Sequence, residues 1–96
     1  MDLITRFEKD ILYDAHAFRT RFNRSAARKE LSNRGAAVLK EVVAHLRERP
    51  SMDDSVRIAW GYLLHEIEIK VDPNKSGPQK YRDTSGWIAW AERFAA

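Results

Sequence analysis

Apolar positions along the chain fall into four stretches with helical spacing. Between residues 3 and 22, Ile4, Phe7, Ile11, Phe18 and Phe22 recur at steps of three, four, seven and four, with Ala15 in the gap. This predicts one stripe of an amphipathic helix beginning after an Asp2 cap, with Asp10 and Asp14 on its polar flank. Asn23 and Ser25 then offer a break and a new cap. The second stretch, 26–49, places Leu31, Val38, Leu39, Val42, Val43 and Leu46 on one buried face and ends before Pro50, which restricts the residue preceding it. Within it, Ser32-Asn33-Arg34-Gly35 favours caps and turns and so interrupts the helix, or else Gly35, Ala36 and Ala37 form a small face for close packing.

Ser51-Met52-Asp53-Asp54 has the pattern of a helix start, a serine followed three residues later by an acid. The helix it opens carries Val56, Trp60, Leu63 and Ile67 on one stripe, supplemented by Ile58, Ala59, Leu64 and Ile69. Its apolar surface therefore wraps beyond one face and belongs at the centre of the fold. Glu68-Ile69-Lys70-Val71 alternates as a strand does, but a short strand without a partner reads better as a helix end. A long loop, 72–83, leads to a fourth helix from Thr84 or Ser85 that carries Trp87, Ile88, Trp90, Ala91 and Phe94. The expectation is a single all-α domain over residues 1–96, a compact bundle of about four helices. Val42, Leu46, Trp60 and Leu63 should share its core.

With 44% hydrophobic and 32% charged residues, the composition excludes whole-chain disorder. There is no cysteine, so thiolate metal sites, disulfides and cysteine nucleophiles are excluded, and a cytoplasmic setting is expected. No apolar run approaches membrane-spanning length, and no membrane partner is expected. The net charge of +3 is unevenly placed: residues 1–50 hold 11 basic and 7 acidic residues, and residues 51–96 hold 6 and 7. The excess centres on Arg19, Arg21, Arg24, Arg28, Lys29 and Arg34, which have only Glu30 among them. These six are the candidate binding residues, for an anionic partner.

No catalytic constellation stands out. His65-Glu66 opens like a zinc-protease helix motif, but Ile69 stands where the second histidine is required. His16 and His45 fall on the charged sides of their helices and read as solvated. Asp10 and Asp14, one turn apart, read as a solvated flank paired with Arg6 and Lys9. The loop from Asp72 to Asp83 puts oxygen side chains at Asp72, Asn74, Ser76 and Asp83 and a glycine at Gly77, as an EF-hand does. Yet Asp83 replaces the usual bidentate Glu and Gln79 the usual apolar anchor, so the loop reads as a turn-rich connector with no metal. Trp60, Trp87 and Trp90 at helical spacing read as core. No cofactor is expected.

Residues 35–69 resemble a HEAT-type helical hairpin. The first helix has that apolar pattern, an acidic turn follows at Asp53 and Asp54, and Val56, Arg57 and Ala59 open the second helix as a Val-Arg-x-Ala segment. The resemblance implies a helical protein-interaction module. The function expected is thus non-enzymatic binding of another protein, with a homodimer also open. The alternative is binding of nucleic acid or another anionic polymer through the run from Arg19 to Arg34.

Overall fold

The computed structural model describes residues 2–49 and 51–95. Among them are six helices and no strand: α1 (Leu3–Tyr13), α2 (Phe18–Arg24), α3 (Ala26–Arg34), α4 (Ala36–Arg47), α5 (Asp54–Val71) and α6 (Thr84–Phe94). The chain is all-helical, as the spacing predicts. The count rises from four to six because the first two periodic stretches are each divided.

In the first, Asp2 caps α1 by accepting from the Thr5 amide at 2.8 Å. The helix stops at Asp14, whose carboxylate accepts from the His16 amide at 3.0 Å. Such a local side-chain bond competes with the helical ladder. A continuous helix over 3–22 is therefore corrected. The seven-residue step from Ile11 to Phe18 is close to two turns, so the apolar stripe keeps its phase across the break. Ala15, in that gap, is exposed. The expected pairing of Asp10 and Asp14 with Arg6 and Lys9 is also replaced: Asp10 accepts from the Ser25 hydroxyl at 2.6 Å, and Asp14 pairs with Arg24 at 3.4 Å.

Ser25 ends α2 and caps α3, its hydroxyl accepting from the Arg28 amide at 3.1 Å. Gly35, with φ +57°, separates α3 from α4 in a conformation that a side chain strains. At the head of α5 the cap is Asp53, which accepts from Ser55, so the helix starts two residues later than a Ser51 cap implies. Glu68 to Val71 are helical, the strand-like alternation notwithstanding. Asp83 caps α6 through the Gly86 amide.

Buried apolar side chains from all six helices form one cluster, and Val42, Leu46, Trp60 and Leu63 belong to it. The central α5 packs against α1, α3 and α6, whereas α4 rests chiefly against α6. Phe7 links two elements edge-on, with ring centroids 6.1 Å from Phe22 and 4.8 Å from Trp60.

Three carboxylates are buried in this frame, Glu8, Glu68 and Asp72. A buried carboxylate is costly unless hydrogen-bonded. Burial opposes ionisation of Glu8, but donors on Trp60, His45 and Arg49, each at 2.8 Å, outweigh it and hold its carboxyl below the ordinary value. Burial likewise opposes ionisation of Asp72. The Ser76 hydroxyl, the Trp90 indole and the Ser76 and Asn74 amides prevail and keep it well below the usual carboxylate range. Asp72 and the Trp87 indole, which donates to the Lys80 carbonyl, fasten the 72–83 loop to the helices. That anchoring positions Tyr81.

Candidate recognition surface

The six basic residues do not converge on one free patch. Arg28 is turned inward, with its Nη1 3.2 and 3.1 Å from the two Glu66 oxygens. Its Nε and Nη2 donate to the Phe22 and Asn23 carbonyls at the end of α2, and its guanidinium lies 5.2 Å from the Phe22 ring centroid. It therefore joins α2, α3 and α5, the kind of cationic donor that end-of-helix carbonyls accept. Arg24 pairs with Asp14, and Arg34 pairs with Glu30 one turn away at 3.4 Å. Arg21 lies over Phe18 at 5.9 Å, and its Nε is buried without a hydrogen-bond partner among the described residues. Lys29 is exposed. Arg19 is exposed too, 5.7 Å above the Tyr62 ring. Counting only Glu30 as compensation overlooks Asp14 and Glu66, which come from other segments of the chain.

The histidines also have carboxylate partners. His16 sits in the break after α1 beside Asp14, not on a helix face. His45 is half-buried against Glu8 and Trp60, which corrects its reading as a solvated side chain. His65 Nδ1 lies 2.9 Å from the Glu68 carboxylate, which accepts its proton in a hydrogen bond. No group of three histidine, aspartate or glutamate side chains that suits a metal ion occurs among the described residues.

Beside Arg19 the fold opens an aromatic cleft of about 250 Å³, bounded by α2, α5 and the 72–83 loop. Phe18, Tyr62, Tyr81 and His65 line it and are only half-buried, with Arg19 and Glu66 on the rim. Tyr62 lies 4.2 Å from Tyr81, 5.7 Å from Phe18 and 5.6 Å from Phe22 between ring centroids. The rings thus form one surface, with π faces suited to stacking and to cations. Glu66 is neutralised by Arg28, while Arg19 makes no ion pair among the described residues. The rim therefore carries a net positive charge. Compared with known proteins, the chain matches no family, no curated protein and no solved structure.

Next along the chain from this cleft, Leu12 and Tyr13 end α1 with 38% and 77% of their surface exposed. Two exposed alanines, Ala15 and Ala17, lead from them to Phe18. The basic run on its own offers only Phe22 as a stacking residue near Arg19. Tyr62 and Tyr81 are supplied from 40 or more positions away, and no local pattern signals that they meet there. The one hint is Gly61, where a Cβ would lie 2.1 Å from the Tyr81 carbonyl oxygen, so that glycine alone admits the loop.

Proposed function

We propose that the chain is a helical binding module that docks a short segment of another protein in the aromatic cleft. The observation that carries this reading is a cleft of half-buried Phe18, Tyr62 and Tyr81 with one uncompensated cation, Arg19, at its edge. A large apolar or aromatic side chain fills such a cleft, and an acidic neighbour meets Arg19. Leu12 and Tyr13, exposed at the end of α1 a few residues before Phe18, are further apolar side chains open to a partner. The HEAT-type resemblance of residues 35–69 implies the same role. Because α4 rests chiefly on α6, the reading is carried by the surface and not by a repeat.

The test is to pan a random peptide display library on the folded protein. Enriched peptides should pair an aromatic or large apolar residue with an acid, and their binding should be lost in Tyr81→Ser. A library that enriches nothing, or enriches equally on the variant, overturns the reading.

One observation favours a second reading, binding of single-stranded nucleic acid. Arg19 stands beside a cluster of aromatic faces, the combination on which bases stack and phosphates pair. Against it, Arg24, Arg28 and Arg34 already hold acids. A steep fall of oligonucleotide affinity with salt, flattened in Arg19→Gln, would favour this reading over the first.

A further inference from the structure

Four arginines from three segments of the chain, Arg47 and Arg49, Arg57, and Arg82, line one cleft where the end of α4, the first half of α5 and the start of α6 meet. It shares no lining residue with the aromatic cleft. Its volume of about 470 Å³ is within the range of small-molecule sites. Leu46, Met52 and Ile88 give it an apolar part, and the only carboxylate in its lining is Asp83. That carboxylate accepts from the Gly86 amide at 2.9 Å and already occupies the start of α6. The helix end therefore adds no attraction of its own.

Guanidinium groups stay charged at all relevant pH, so four lining one cleft repel one another unless anions compensate. Three have partners that lie outside the lining. Arg47 reaches Glu92 through Nη2 at 2.6 Å, and Arg49 reaches the buried Glu8 through Nη1 at 2.8 Å. Arg82 grips Asp54 through Nε and Nη2, at 3.0 and 2.9 Å from Oδ2. Arg47 and Arg49 each use one nitrogen in these bonds, and a guanidinium has five donor hydrogens. The Arg57 amide donates to the Asp53 carbonyl at 3.0 Å, and its side chain makes no hydrogen bond or ion pair among the described residues. Donors thus remain on several arginines around one concave space, with Arg49 held in place from behind by Glu8.

We infer that this cleft binds a phosphate ester of a small organic molecule. The phosphate meets Arg57, Arg49 and Arg82, and the organic part lies over Leu46, Met52 and Ile88. A phosphomonoester carries about −1.5 to −2 charge at neutral pH and three acceptor oxygens, which suits several guanidiniums lining one cleft better than a single carboxylate does. The apolar residues distinguish such an ester from inorganic phosphate.

Calorimetry with inorganic phosphate, phenyl phosphate and phenol tests this on the whole chain. Phenyl phosphate should bind more tightly than phosphate, and phenol should not bind. Arg57→Gln and Arg82→Gln should each weaken phenyl phosphate about tenfold or more, the loss expected for a charged hydrogen-bond partner. Arg19→Gln, at the other cleft, should leave it unchanged. Arg82→Gln removes only an exposed pair of small worth to stability, so that variant folds. No binding of either anion at millimolar concentration, or equal losses in Arg19→Gln, overturns the inference. So does cosedimentation with vesicles carrying phosphatidic acid that Arg57→Gln abolishes, because the phosphate source is then a lipid headgroup.

Discussion

The indole nitrogen of Trp60 donates to the Glu8 carboxylate at 2.8 Å, joining two residues 52 positions apart across the core. His45 and Arg49 complete the same carboxylate, so one acid ties α1 to α4, α5 and the segment after α4. Replacing it by glutamine preserves shape and an acceptor but removes the charge that Arg49 meets. Glu8→Gln should therefore lower stability by about 1–3 kcal/mol. A denaturant titration with an unchanged midpoint would refute this.

The same carboxylate makes stability depend on acid pH. Its folded-state pKa is depressed below the ordinary 4.5, so the folded protein holds the ionised form more firmly than the unfolded chain does. The resulting stabilisation is fully present above about pH 4.5 and is lost as pH falls below that value towards the folded-state pKa. Asp72, depressed from 3.8, acts in the same direction at lower pH. Thermal midpoints should fall from pH 5 to pH 3, and the fall should be shallower in Glu8→Gln. Equal slopes would remove Glu8 as a cause.

Gly61 should prove intolerant of a side chain. A Cβ there would meet the Tyr81 carbonyl oxygen at 2.1 Å and the Tyr81 carbonyl and Cα carbons at 2.7 Å, all of them backbone atoms with little room to yield. Gly61→Ala should cost about 1–3 kcal/mol through overpacking and push the loop from α5. The Tyr62–Tyr81 contact would then open, so peptides selected on the aromatic cleft should bind more weakly. A variant with native stability and native peptide affinity would contradict the close approach.

Calcium should leave the protein unaffected. The loop pattern at Asp72, Asn74, Ser76 and Asp83 resembles a calcium loop, but Asp72 is turned inward to the Trp90 indole and its own loop, and Asp83 caps α6. Millimolar calcium should not raise the thermal midpoint, whereas Asp72→Ala should lower it by leaving buried donors unmatched. A midpoint raised by calcium and insensitive to it in Asp72→Ala would reverse this reading.

The helical class, the centrality of α5 and the core places of Trp60, Leu63, Val42 and Leu46 were legible in the periodicity, because burial on a helix repeats every three or four residues. Caps at Asp2 and Ser25 were legible too, since capping depends on neighbouring residues. The division at Asp14 was not, because a gap of two turns preserves the phase of the apolar stripe. Gly35 left two outcomes open, and its left-handed backbone settled them. Charge was the property that sequence order represented least well. Electrostatics acts through space, so Arg28 found Glu66 from α5, and Arg47, Arg49, Arg57 and Arg82 met in one cleft although no segment of the chain groups all four. Both clefts are made of side chains from separate helices, and only the packing of α5 and α6 with their neighbours brings them together.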